Sequence, residues 1–162
     1  MIELSSVADI QFLARKGMTT GYEVMSLLTP AAYTAYVLVK RGRSALYVNR
    51  ILRATWIGGA IGAAGGGALS YARHSSSTVD ALQRRRMHVM YDANRLRLED
   101  HAVIGGVLGG VLTTAIFLKR ANVVNLILGG GGLGTGLGML THYGKYAVGD
   151  RPPPILSPSF PE

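Results

Sequence analysis

Residues Gly105–Gly138 read GGVLGGVLTTAIFLKRANVVNLILGGGGLGTGLG. Two apolar segments meet at a single basic pair, Lys119 and Arg120. Glycines recur four apart on both sides of it: Gly105 with Gly109, Gly106 with Gly110, then Gly130, Gly134 and Gly138. In water such a stretch makes a poor helix, because each interior glycine costs roughly 1 kcal/mol relative to alanine. Lipid reverses the argument. Backbone groups must there be bonded within the segment, which forces a helix, and small residues four apart let two helix backbones touch. The stretch predicts a tightly packed helical hairpin in a membrane, with its two segments antiparallel across the short turn.

Two more apolar segments lie upstream. Gly21–Val39 has about the length a membrane span needs. Glu23 sits near its start, Pro30 falls mid-segment and is expected to kink or open the helix, and Tyr22, Tyr33 and Tyr36 are spaced along it. Ala54–Ala72 carries no charge; Gly58, Gly62 and Gly66 share one face, with Trp56 and Tyr71 near the two ends. Lys40–Arg53 between these segments holds five positive charges and no negative one, and reads as a short amphipathic stretch on the membrane surface. With Ala102–Leu118 and Ala121–Tyr143 the chain has four predicted spans, 21–39, 54–72, 102–118 and 121–143. The expected fold is an all-α membrane protein of four transmembrane helices with glycine-zipper packing and both termini on one side.

Composition agrees. Of 162 residues, 48% are hydrophobic and 16% charged, against about a quarter charged in ordinary soluble chains. The net charge of +8 suits either nucleic acid or the basic flanks of membrane spans. The basic residues cluster at the ends of apolar segments without interleaved aromatics, which favours membrane lipids as partners and not nucleic acid. No cysteine is present, which removes disulfides, thiolate metal sites and a cysteine nucleophile. For orientation, loops 40–53 and 119–120 hold seven positive charges in 16 residues, the other side ten over a much longer stretch. Charge density then places the dense loops inside and both termini outside.

Residues 1–20 lack the unbroken apolar core of a secretory signal and read as a surface segment. Residues 73–101 form the one long polar stretch. Ser77 with Asp80 fits a capping box, and Val79, Leu82, Met87 and Met90 follow at helical spacing, so one exposed helix with an apolar stripe is expected, either a solvated connector or a helix that docks a partner. The tail, 144–162, has five prolines in its last eleven residues and should be extended.

Chemistry is scarce. Gly129-x-Gly131-x-x-Gly134 matches the dinucleotide fingerprint, but no βαβ pattern surrounds it. His74, His88, His101 and His142 form no i, i+4 ligand pair, and Ser75, Ser76 and Ser77 have no triad companions. Asn122, Asn125, Thr113 and Thr114 read as interhelical hydrogen-bond formers. No catalytic residue, metal site or cofactor is expected, although a bound phospholipid is compatible with the layout. Leucine at Gly109 or Gly134 should disrupt packing, and a change at Gly149 should be tolerated.

The segments IGGAIGAAGGG at 57–67, GGVLGGVLTT at 105–114 and LILGGGGLGTGLG at 126–138, the last following a short basic turn, resemble the four-span mitochondrial inner-membrane proteins grouped with the Tim preprotein translocases. The resemblance covers residues 21–143. It implies four glycine-rich spans, termini in the intermembrane space and short basic loops in the matrix. Translocase subunits of the family carry cysteines and an acid-lined cavity; here cysteine is absent and Glu23 is the one candidate cavity acid. The layout is more similar to the translocase-like accessory subunit of respiratory complex I. That resemblance implies a non-catalytic subunit stabilising a respiratory complex through contacts with its other subunits. A component of the protein-import translocase is the first alternative, and a small channel or transporter the second.

Overall fold

The computed structural model describes residues 2–152, with side chains from Val7 onward. Its elements are α1 (Ile2–Arg41), a 3-10 turn (Arg43–Ala45), α2 (Val48–Ser75), α3 (Val79–Met90), α4 (Ala93–Phe117) and α5 (Val123–Ala147). The described residues contain no strand. The fold is all-α, as expected.

The boundaries correct several expectations. Residues 1–20 are not a separate surface segment, because α1 runs unbroken from Ile2 through Pro30 to Arg41. At 40 residues it is about 60 Å long, twice the hydrocarbon thickness of a bilayer. Its N-terminal half folds onto its own chain: Leu13 is buried, and so is Asp9, paired with Arg86. The basic stretch 40–53 is not an independent amphipathic helix. Gly42, at φ +76°, turns the chain, and α2 begins already at Val48. Leu52 is 2% exposed, covered by α5 at Gly129.

The polar stretch 73–101 is likewise not one exposed helix. It divides into the end of α2, all of α3 and the first two turns of α4. Asp92 breaks it by capping α4, its carboxylate accepting from the N–H groups of Asn94 and Arg95 at 3.1 and 3.2 Å. The Ser77–Asp80 capping box does not form. Thr78 is the N-cap residue of α3 and makes no side-chain cap bond.

Helices α1 and α2 form one antiparallel hairpin and α4 and α5 a second. The central helix is α5, which packs on α4, α2 and α1, whereas α4 has close backbone packing on α5 alone. Among the described residues, α4 and α5 alone meet the length and mean hydropathy of a membrane span, two helices and not the four expected. The reason lies in the residues of the other two segments. Glycine brings helix backbones together but adds little transfer free energy, and 54–72 holds six glycines. Segment 21–39 is diluted by Glu23, Pro30 and three tyrosines.

Candidate functional site

Two lines of glycine contact hold the hairpins. In the second hairpin, Gly105 and Gly109 of α4 face Gly130, Gly134 and Gly138 of α5. A Cβ added at Gly134 would strike the Gly105 carbonyl and lie 2.9 Å from the Gly109 Cα. One at Gly138 would strike the His101 carbonyl. Gly106 lies against Thr135, whose Oγ1 would be 2.8 Å from an added Cβ, and Gly110 faces the Ile127 carbonyl at 3.3 Å. Thr113 stands over Gly130 and donates across the interface to the Leu126 carbonyl at 2.9 Å.

The first hairpin repeats this contact. Gly58 packs under Thr29, Gly62 against the Gly21 carbonyl, and Gly66 against the Gly17 carbonyl. Sequence reading missed Gly17 and Gly21, although their spacing of four was the available signal. Hydropathy hides this signal, because the apolar segment begins only at Gly21. Gly149 is also reassigned. No neighbour lies within 4 Å of an added Cβ there, but its φ of +101° strains any L side chain. Gly65 and Gly144 are the open helical positions.

The end of the bundle holding both described termini carries a polar cap. All four ion pairs among the described residues lie there. Lys16 meets Glu99 at 2.5 Å and Arg95 meets Glu99 at 3.4 Å. Arg86 meets Asp9 at 2.5 Å, and Arg97 meets Asp150 at 2.6 Å. Arg95 also donates to Thr20 Oγ1 at 2.6 Å, and Ser70 Oγ to the Leu13 carbonyl at 2.9 Å. Hydrogen bonds from Arg97 hold the Asp150 carboxyl below the ordinary carboxylate range, and the same bonds raise Arg97. Glu23 is 5% exposed just beneath the cap, with Glu99, Arg95 and Lys16 as its charged neighbours. Lys16 and Arg95, the cations near it, are paired with Glu99.

The opposite end is joined by amides. Trp56 Nε1 donates to Asn125 Oδ1 at 2.9 Å, Asn125 Nδ2 donates to Asn49 Oδ1 at 2.9 Å, and the Asn122 N–H reaches the same oxygen at 3.3 Å. These bonds tie the start of α2 to the start of α5.

The expected docking residues are divided by the fold. Leu82 is fully buried within the chain, Val79 and Met87 are half-buried, and Met90 is 41% exposed. Leu82 therefore fixes α3 to its own bundle and offers nothing to a partner. His101 and His142 meet edge to face at 5.6 Å, and Asn94 Oδ1 lies 3.1 Å from His142 Nε2. Among the described residues no three His, Cys, Asp or Glu side chains come together to hold a metal. Gly129, Gly131 and Gly134 lie inside α5, where the helix uses their N–H groups. Residues 153–162 of the proline-rich tail lie outside the described residues.

One feature was not visible in the sequence. A groove of about 700 Å³ opens where α1, α2, α3 and the start of α4 meet, between Leu13, Lys16, Gly17, Val24, Arg84 and Arg95 among others.

Compared with family models, with curated proteins and with solved structures, the chain matches none.

Proposed function

We propose that this chain is a non-catalytic structural subunit of a multi-subunit membrane complex, a respiratory complex of the mitochondrial inner membrane similar to complex I. In this reading α1 and α2 cross the bilayer with α4 and α5, giving four spans with both termini in the intermembrane space. The observation that carries the reading is the outer face of α4. Val103, Ile104, Val107, Leu108, Val111, Leu112 and Ile116 are each at least 54% exposed, and only 11% of the apolar window of α4 is buried, against 50% for α5. A water-soluble monomer rarely leaves so continuous an apolar stripe uncovered. A helix held on one side by glycine contacts and apolar on the other suits a subunit wedged between lipid and a neighbour.

The two weakly apolar helices are compatible with spanning. Exposed Leu28, Tyr36, Leu38, Ile61 and Leu69 continue the apolar belt around the first hairpin. Their polar residues Glu23, Ser26 and Thr55 face inward and are buried. The mitochondrial and respiratory assignment rests on the sequence resemblance alone.

The test is affinity purification of the tagged full chain from mild detergent, followed by native electrophoresis and mass spectrometry. Co-migration with the subunits of one respiratory complex is the expected result. Migration apart from every such complex overturns the proposal.

A further inference from the structure

We propose that the groove at the junction of α1, α2 and α3 binds an anionic phospholipid, phosphate at its rim and acyl chain along its wall. The inference rests on the membrane reading above and goes beyond it by assigning a ligand and its site. At about 700 Å³ the groove is far larger than a lone phosphate requires. Its wall is apolar, with Leu13 and Val24 standing beside a trough. Gly17, Gly21 and Gly66, which let α1 and α2 touch, line the floor of the trough.

Its rim is cationic. Lys16, Arg84, Arg85 and Arg95 all line it, and no Asp or Glu does. Glu99 offsets part of this charge by pairing with Lys16 and Arg95. Arg84 and Arg85 have no ion pair among the described residues; Arg85 Nη1 instead lies 3.2 Å from His74 Nε2. Two guanidinium groups with open donors match the oxygens of a phosphodiester. The groove also sits at the right depth. Val24 and Gly66 belong to the proposed spans, and the cations lie at or beyond the ends of those spans, at headgroup level. Free inorganic phosphate would satisfy the rim but leave the trough below it facing water. The cationic excess selects an anionic headgroup over a zwitterionic one.

The test uses the full chain purified in mild detergent and offered phosphatidylglycerol and phosphatidylcholine together, with retained lipid counted by native mass spectrometry. Preferential retention of phosphatidylglycerol is expected. Retention should fall about 30-fold in the Arg84→Gln/Arg85→Gln double variant, from the loss of two surface cations. The Lys119→Gln/Arg120→Gln variant removes the same charge from the opposite end and should retain the lipid. Both pairs of side chains are exposed, so neither variant should disturb the fold. Equal retention of both lipids, equal loss in both variants, or complete displacement by inorganic phosphate overturns the site. Carbonate extraction of the same membranes keeps the two readings apart. A chain that stays with the membrane but shows no lipid preference refutes this site alone, whereas a chain released into the supernatant refutes the membrane reading.

Discussion

Alanine at Gly134 is the sharpest perturbation of the packing. The added methyl would lie 2.8 Å from the Gly105 carbonyl carbon and 2.9 Å from the Gly109 Cα. Carbon atoms in ordinary contact sit about 3.5–4.0 Å apart, so α4 would have to back away by about 1 Å. The obstructing atoms are all backbone, and no rotamer change relieves them. Overpacking of this kind costs about 1–3 kcal/mol. Alanine returns about 1 kcal/mol through helix propensity, leaving a net loss of up to about 2 kcal/mol. Gly65 isolates the propensity effect, since it is helical and nothing lies within 4 Å of an added Cβ. Gly65→Ala should therefore be neutral or stabilising by up to about 1 kcal/mol. Gly144→Ala is the matching control on α5 itself. The readout is built in. Trp56 is the only tryptophan, and its ring N–H bonds Asn125 across the α2–α5 interface. Denaturation of the detergent-solubilised chain with increasing sodium dodecyl sulfate, followed by Trp56 fluorescence, should give a lower midpoint for Gly134→Ala and an unchanged or higher one for the controls. Equal midpoints for all three variants would remove the close backbone contact as the cause of stability.

Three further outcomes follow from the polar ends and the hairpin contact. Arg86→Ala strands Asp9, which is 3% exposed, and should cost about 2 kcal/mol once the partial exposure of Arg86 is allowed for; Asp9→Asn in the same chain should recover part of the loss in thermal melts. Thr113→Val keeps the shape over Gly130 but removes the bond to the Leu126 carbonyl, so the fall in stability should be small, about 0.6 kcal/mol, and a loss several times larger would assign Thr113 a different role. The folded state holds the Asp150 carboxyl below its ordinary range, so the Arg97–Asp150 contribution is fully present above that range and is lost as pH falls through the depressed value. Melting temperature should accordingly drop less on acidification for Asp150→Asn than for the parent, and identical profiles would show that the pair contributes nothing.

Legibility in the sequence followed what each residue pattern is sensitive to. The α4–α5 hairpin was readable because glycine spacing, apolar content and a turn as short as Lys119–Arg120 all point the same way. Gly17 and Gly21 share that spacing but lie where α1 is polar, so a reading led by hydropathy passed over them. The helices at 79–90 and 93–101 were merged because both are good helix formers; what separates them is one capping carboxylate, Asp92. Leu82 looked like part of a docking stripe, since periodicity reveals an apolar face without revealing what covers it. The cationic groove was invisible because its members span Leu13 to Arg95 and meet only through the tertiary fold. Nothing in local sequence separates an arginine that answers an acid, such as Arg86, from one that does not, such as Arg84.

The two hairpins make the same contact with different sequences. GMTTG at 17–21 lies against α2 as GGVLG at 105–109 lies against α5. A backbone-to-backbone contact constrains the positions that touch, here also Gly106 against Thr135 and Met18 against Gly67; the exposed positions between the glycines are free to suit their surroundings. In α1 those exposed positions carry Thr19 and Thr20 beside the cap, whereas in α4 they carry Val107 and Leu108 on the outer face. Such a chain can change the environment it inhabits, or the neighbour it leans on, by mutating outward positions while its interior stays fixed. Each glycine line closes its own hairpin, but Gly129 and Gly132 of α5 also meet Leu52 and Thr55 of α2, so damage to the two lines should be coupled rather than additive.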